Sequence, residues 1–424
     1  EPVKSNALIA VPQNAALLLK EQNFSAFYQK LASSNIIWEE LTNNTQTFKN
    51  IRTKAAYLDS VFSLKEVSAV LSEKSLLMSA HLSGANSYDM VYYFSTLPNI
   101  SEKNVLTLFQ SKLKTNPSTR IYDGKTIYSI TQKDNKWFFV FDKSVLAVSQ
   151  SSLLIEDVVR QLKNETSLLD DEGFKHILGT TGEVPDGNVF INQWVNEKHR
   201  ENVSNTSHYA RWSALDISLK SNALMLNGFT SVANDKNSFL SLFAAQTTSL
   251  GGPNINLTKV VPSNTALMYH YTFSNAHQFF KDKKAWLKQN NTYFTYEKYM
   301  DAISAAYQID LEAELLSLVG NEAALVMTEP LKKDITGNQF VVFQVKDVDK
   351  AKEQLATIEQ KVNGDSANTD EQTRQLMMQL NFSHLFGKPF ISLHQPYYQF
   401  LNDYLVFGET LTGMNEFYKS FAVE

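Results

Sequence analysis

Histidines are the residues of this sequence best suited to acid–base or metal chemistry, because imidazole titrates near neutral pH and binds metals. His270 and His277 lie seven residues apart, but the first falls on a predicted strand and the second in the helix that follows. A metal site needs a further ligand, which the neighbouring sequence does not indicate. His81 is expected to point outward from its strand. Structural or surface roles are predicted for all eight: His81, His176, His199, His208, His270, His277, His384 and His394.

The stretch 194–212 is the least regular part of the chain, since it is polar and bounded by Trp194 and Trp212. Loops held by a rigid scaffold often carry function. If the chain has a catalytic site, we therefore expect it around His199 and His208.

Acidic clusters are the second group with the right chemistry. Asp170, Asp171 and Glu172 are adjacent, whereas a glycosidase needs two carboxyls that converge from opposite sides of a cleft. We predict a solvated polar loop there. A second loop is interpreted as flexible and acidic, because its spacing departs from the calcium-binding pattern D-x-[DN]-x-[DN]-G. Its oxygen-bearing residues are Asp365, Asn368, Asp370 and Glu371.

Motifs that carry catalytic or cofactor chemistry are missing. The sequence contains no G-x-S-x-G, H-E-x-x-H, P-loop or G-x-G-x-x-G. The absence of cysteine excludes disulfides, thiol catalysis and cysteine-ligated metals. The paired glycines in 250–254 lack the lysine of a phosphate-binding loop and predict a linker. We assign no catalytic, cofactor-binding or metal-binding residue, expect no cofactor, and predict that the protein is not an enzyme.

Aromatic residues are enriched, with 27 Phe and 18 Tyr. Such residues suit strands and bury large areas, so a core role is the first interpretation. The second is a groove between the sheet and a helical arm that holds a lipid or another apolar ligand. Phe24, Phe27, Tyr28 and Trp38 would line that groove or fill it.

The elements that must position these residues come in separate blocks. Apolar residues in 24–31 recur at helical spacing, and alternation in 76–82 predicts a half-buried strand. Asp-Gly at 123–124, between apolar runs, predicts a hairpin. A helical arm in the second half of the chain is predicted to end at Gly320. These patterns favour an α+β fold with antiparallel sheets, each packed with helices on one face.

An internal repeat organises the chain. V-P-Q-N-A-A-L at 11–17 recurs as V-P-S-N-T-A-L at 261–267, and further short matches follow in the same order. Collinear matches indicate duplication. We predict two tandem related copies. Residues 1–163 form the first, 164–252 connect them and carry a β-hairpin that completes the first unit, and 253–424 form a second copy truncated at its C-terminal end.

Composition bounds the functional class. The 424 residues are 43% hydrophobic, as in globular proteins. Thirty-nine basic against 44 acidic residues give a net charge of −5, which argues against nucleic acid as a partner. No apolar run reaches the roughly 18–20 residues of a membrane span. Because the chain opens at Glu1, we expect that a leader was removed, and that membrane contact depends on an N-terminal anchor outside this chain.

These residues resemble a known family. The pattern V-P-x-N-x-A-L, the strand S-L-L-M-S-A-H-L-S-G and the block F-F-V-F-D-K-S-V-L-A-V-S are similar to the DUF3352 proteins. More narrowly they resemble the Bacteroidetes branch, whose members are uncharacterised and predicted to be extracytoplasmic. The resemblance implies export, often with a signal or lipoprotein leader, and it implies no catalytic residues.

The functional expectation follows from the resemblance and the missing motifs. We expect a non-catalytic module, anchored at the bacterial envelope in the periplasm or at the cell surface, that binds a protein or another envelope component or acts as a scaffold. The alternative is a carrier of a lipid or other hydrophobic ligand. A hydrolase is the third hypothesis.

Overall fold

The computed structural model describes residues 6–71, 75–84, 87–113, 116–132, 135–182, 186–196, 208–232, 235–244, 246, 256–329, 336–364 and 373–422. The chain divides into two compact units, of which the first ends at Ser238 and the second begins at Phe239. No helix within the described ranges is long and apolar enough to cross a membrane.

The first unit is built on a ten-stranded sheet. Its strands are β1 (Leu17–Glu21), β2 (Leu76–Gly84), β3 (Ser87–Ser95), β4 (Ser118–Tyr122), β5 (Lys125–Gln132), β6 (Asn135–Asp142), β7 (Val145–Ser149), β8 (Asn188–Asn192), β9 (Trp212–Lys220) and β10 (Ala223–Ser231). Its helices are α1 (Phe24–Ser34), α2 (Ile36–Asn44), α3 (Gln46–Phe62), α4 (Lys65–Ser68), α5 (Glu102–Leu113), α6 (Ser152–Asn164) and α7 (Glu172–Leu178).

The strands lie in the order β10-β9-β8-β1-β2-β3-β7-β6-β5-β4, and neighbouring strands are antiparallel. β1 is an inner strand, because Leu17 pairs with Ala80 of β2 on one side and with Ile191 of β8 on the other. The Asp123-Gly124 turn joins β4 to β5, as the sequence predicted.

Side-chain caps explain where the helices of the arm begin. The Oδ1 of Asn23 accepts from the N–H of Ala26, and the Oδ1 of Asn35 accepts from the N–H of Trp38. Each of these bonds satisfies a backbone donor that the first turn of a helix leaves free.

Helices cover both faces of the sheet in the first unit. Leu77 of β2 lies in a buried cluster with Ile155 of α6. Its neighbour Leu76 packs with Phe24 of α1 and Phe62 of α3. Adjacent residues of a strand point to opposite faces, so the two clusters lie on opposite sides. The α+β class with antiparallel sheets is confirmed, but the prediction of helices on one face was wrong for this unit.

The second unit contains a six-stranded sheet in the order β11-β12-β13-β18-β17-β14 and a small β15-β16 pair. Its strands are β11 (Thr265–Thr272), β12 (Val319–Thr328), β13 (Gln339–Val345), β14 (Arg374–Gln375), β15 (Leu380–Asn381), β16 (Ser392–Leu393), β17 (Tyr397–Leu401) and β18 (Tyr404–Gly408). Its helices are α8 (Ser241–Ala244), α9 (Ala276–Gln289), α10 (Tyr293–Tyr307), α11 (Leu311–Glu314), α12 (Val348–Asn363), α13 (Phe382–Phe386) and α14 (Leu411–Ala422).

Both faces of this sheet are also covered. Val342 of β13 packs in a cluster with Phe417 of α14. Phe343, which points the opposite way, lies 5.8 Å between ring centres from Phe386 of α13. Gly320 does not end a helix as predicted; it is the second residue of β12, and the helical arm ends earlier, with a 3₁₀ turn at Leu316–Leu318.

The two units have similar strand orders. In the first, β1, β2, β3 and β7 are adjacent, and in the second β11, β12, β13 and β18 are adjacent. In each, a helical arm separates the first two strands, and a helix follows the last strand of the meander. Duplication predicts this common order, and shared ancestry of the two units stays a prediction.

Candidate functional site

An open groove in the second unit is the best candidate site. It has a volume of about 720 Å³ and lies where the end of α10, the segment after β14, the loop before β17 and the start of α14 meet. The residues that line it are Tyr307, Gln375, Met377, Met378, Gln379, His394, Gln395, Tyr397, Glu409, Thr410 and Leu411.

Asn363, the last residue of α12, fixes one wall of the groove. Its Nδ2 donates to the carbonyl oxygen of Gln375 at 2.7 Å, and its Oδ1 accepts from the N–H of Met377 at 2.9 Å. The intervening Leu376 N–H donates to the carbonyl of Pro396 at 2.9 Å. One amide side chain therefore holds the backbone of Gln375, the last residue of β14, and of Met377 just beyond it.

The opposite wall carries an acid, Glu409, between β18 and α14. Its Oε2 accepts from the N–H of His394 at 3.0 Å, and its Oε1 lies 3.5 Å from the Nδ1 of the same histidine. The next residue caps the helix, because the Oγ1 of Thr410 accepts from the N–H of Gly413 at 3.1 Å. The carboxylate is thus held in place with 27% of the side chain exposed.

The amide side chains of the groove are oriented by internal hydrogen bonds. The Nε2 of Gln375 donates to the carbonyl of Gln395 at 3.1 Å. The Nε2 of Gln379 donates to the Oγ of Ser392 at 2.8 Å. The described lining contains one acid and no lysine or arginine. Apolar side chains beside oriented amides suit the groove to non-covalent binding.

A second constellation has catalytic residue types but is sealed. The Oγ of Ser79 lies 2.7 Å from the Nε2 of His81 and 2.9 Å from the hydroxyl of Tyr93. The Nδ1 of His81 lies 3.2 Å from the Oδ1 of Asn14. In a catalytic triad a nucleophile, a base and an orienting group are hydrogen-bonded in sequence, as Ser79, His81 and Asn14 are here. Ser79 is 0% and His81 2% exposed, however, so a substrate has no access. The network fastens the segment around Asn14 to the sheet.

The outward orientation predicted for His81 is wrong. β2 is buried on both faces, so alternation does not separate an inner from an outer side. Burial lowers the pKa of His81 to about 4.

The irregular stretch 194–212 contributes to two described ion pairs, His208 with Asp235 and Arg211 with Asp171. The Nε2 of His208 lies 2.6 Å from Asp235, and its ring centre is 6.3 Å from that of Trp194. His199 lies outside the described residues. Elsewhere, His270 lies 3.0 Å from the buried Glu322. Within the described part of the chain, groups of three or more His, Asp or Glu that could hold a metal are absent.

The adjacent acids at 170–172 act mainly as helix caps. Asp170 accepts from the N–H of Ser167 at 2.7 Å, and Asp171 accepts from the N–H of Phe174 at 3.0 Å. Arg211 also pairs with Asp171 at 2.9 Å. They do not converge across a cleft. The acidic loop with Asp365, Asn368, Asp370 and Glu371 lies outside the described residues.

The aromatic residues proposed to line a lipid groove pack against other rings. Phe24 is 4% exposed and its ring centre lies 5.7 Å from that of Phe62. Trp38 is 9% exposed and lies 5.9 Å from Phe48 in an edge-to-face arrangement. These two arm residues fill the space between the helices and the sheet.

Two buried ionisable residues were not singled out from the sequence. Glu21 is fully buried, none of the described residues hydrogen-bonds its carboxylate oxygens, and burial together with the nearby charge of Asp186 raises its pKa to about 9. Lys283 donates to the carbonyl of His384 at 2.5 Å, and burial lowers its pKa to about 7 against the opposing charge of Glu312. Lys283 lies four residues after Phe279 and therefore on the same apolar helix face, and this spacing was the sequence signal that could have indicated a buried lysine.

Fold and site together define a two-unit α+β protein with antiparallel sheets and an open groove of mixed polarity. The sequence profile described as "Protein of unknown function (DUF3352)" matches residues 87–417, and the chain belongs to this family. No functionally curated protein matches the chain. A solved structure titled "Structure of crystal form I of TP0453" is similar over 57% of this chain and 85% of its own, at 11% identity and a TM-score of 0.30. That similarity is too low to support an argument about function.

Proposed function

We propose that the protein is a non-catalytic binding module of the bacterial envelope, and that the groove in its second unit receives a segment of a polypeptide. The observation that carries the proposal is the lining, in which Met377, Met378, Tyr397 and Leu411 stand beside oriented glutamine amides.

This mixture suits a polypeptide. Methionine side chains adapt to irregular apolar surfaces and are common at binding surfaces of broad specificity. Tyrosine and methionine are enriched where proteins meet, and glutamine amides can bond to a peptide backbone. The groove is open to solvent, which favours a chain segment over an enclosed small molecule.

The other two functional hypotheses have less structural support. A lipid carrier needs an apolar cavity, whereas Phe24 and Trp38 are packed against neighbouring rings. A hydrolase needs polar groups that converge in an accessible cleft. Ser79 and His81 have suitable chemistry but are buried.

We further propose that the chain is exported to the periplasm or cell surface, and that it comes from the Bacteroidetes branch of its family. The sequence motifs shared with that branch and the absence of cysteine support the proposal. Membrane attachment would then depend on an N-terminal anchor. Fractionation of the native protein tests this, and recovery in the cytosol would contradict it.

The binding proposal is tested with a random dodecapeptide library displayed on phage and selected on the immobilised whole chain. Selected clones are then compared on wild type, Met377→Lys and Met225→Lys. Met377 and Met225 are 40% and 38% exposed, but only the first lines the groove.

We expect clones that bind wild type and Met225→Lys equally and lose about tenfold in affinity, roughly 1.4 kcal/mol, on Met377→Lys. If no clone distinguishes Met377→Lys from wild type, the groove does not bind polypeptide and the proposal is wrong.

A further inference from the structure

The polar atoms that the groove offers to a ligand are biased toward hydrogen-bond acceptors. The Nε2 groups of Gln375 and Gln379 are already bonded to Gln395 and Ser392. None of the described residues donates to their Oε1 atoms, which can therefore accept from a ligand. Glu409 adds a carboxylate, whose Oε1 lies 3.5 Å from the Nδ1 of His394.

The ionisable groups of the groove are few. Among its described lining residues Glu409 is the acid, His394 is the basic residue beside it, and neither lysine nor arginine is present. The carboxylate is also pre-organised, since the backbone N–H of His394 fixes one of its oxygens. Tyrosine rings at positions 307 and 397 line the same groove, and the faces of such rings attract cations.

We infer that the polypeptide segment bound in the groove carries an arginine or lysine, whose cationic head pairs with Glu409. The inference rests on the proposed function and names the specificity of that site. A guanidinium or ammonium group supplies the several donors that the acceptors of Glu409, Gln375 and Gln379 require. Its charge complements the single acid, and its apolar stem can lie along Met377 and Leu411.

The size of the effect follows from the exposure of the acid. With 27% of its side chain exposed, Glu409 is partly desolvated, so its ion pair should be stronger than one at the open surface. We expect removal of either charge to weaken binding about tenfold.

The test uses a positional-scanning hexapeptide library on the whole chain. One position is fixed as arginine, lysine, citrulline, leucine or glutamate, and the other five are randomised. Citrulline keeps the shape of arginine without its charge. Retention of each pool is measured by mass spectrometry on wild type, Glu409→Gln, Glu416→Gln and Met377→Lys. Glu416 is the matched control, because it lies on α14, pairs with Lys419 at 2.8 Å and does not line the groove.

The arginine and lysine pools should be retained about tenfold more than the citrulline pool on wild type and Glu416→Gln, and this preference should vanish on Glu409→Gln. Equal retention of arginine and citrulline pools on wild type, or an unchanged preference on Glu409→Gln, overturns the inference while leaving peptide binding intact. If wild type retains no pool better than Met377→Lys does, the proposed function and the inference both fail.

Discussion

Replacing Glu21 by glutamine removes a buried acid while almost preserving its size. Glu21 ends β1, is 0% exposed, and lies against Gly187, where an added Cβ would come within 2.3 Å of its Oε1. Its pKa is raised from 4.5 to about 9, mainly by burial and to a lesser extent by the charge of Asp186. The folded protein therefore holds this carboxyl in its protonated form at neutral pH.

The magnitude follows from proton linkage. Because the folded pKa lies above the unfolded one, the stability present below pH 4.5 is lost as the pH rises toward 9. One pKa unit corresponds to about 1.4 kcal/mol, so the loss at pH 7 is roughly 3 kcal/mol. Glutamine does not titrate. Glu21→Gln should therefore be more stable than wild type by about 3 kcal/mol at pH 7 and similar to it at pH 4.5.

Urea denaturation followed by tryptophan fluorescence measures this difference between pH 4.5 and 8. Four of the five tryptophans, at positions 38, 137, 194 and 212, belong to the first unit, so the signal reports mainly on the unit that contains Glu21. The exposed Glu39 provides the control variant Glu39→Gln, which should differ from wild type by less than about 0.5 kcal/mol. A difference between Glu21→Gln and wild type that stays constant across this pH range would refute the reasoning.

Three further predictions concern other buried or positioning groups. Lys283→Met should raise the free energy of unfolding at pH 7 by roughly 2–4 kcal/mol. The wild type should gain stability between pH 7 and 10.5 because the pKa of Lys283 is lowered, and the variant should not. Chemical denaturation measures both effects, with Lys284→Met, at a more exposed lysine, as the control. His81→Leu should cost about 1–3 kcal/mol at pH 7 by stranding its buried partners, with an unchanged melting temperature as the contradicting result. Asn363→Ala should accelerate hydrogen exchange in 373–379 about tenfold, and equal exchange rates would show that this amide does not hold the groove wall.

The fold class could be predicted because its signals are local. The Asp123-Gly124 turn and the apolar alternation around it specify the hairpin of β4 and β5 within a few residues. Gly320 shows the limit of such reasoning. A glycine after a helical pattern commonly ends a helix, but here the tertiary structure recruits it into β12, close to Gln344 of the neighbouring strand.

The candidate site could not be predicted, because its walls come from distant parts of the chain. Tyr307, Asn363 and Glu409 do not belong to a common sequence motif. Tyr307 and Asn363 are the last residues of two helices, and Glu409 precedes the Thr410 that caps a third. The orientation of His81 failed for a related reason. Alternation separates inside from outside only when one face of a strand is exposed.

The place of β1 inside its sheet has a consequence for the order of folding. Leu17 lies far before Ile191 in the sequence, yet the two residues are paired in neighbouring strands. Closing so long a loop is entropically costly, and pairings of this kind form slowly. We expect the hairpins from β4 to β7, whose contacts are local, to form earlier. β1 then completes its hydrogen bonds among the last strands of the sheet, although it precedes the other nine in the sequence.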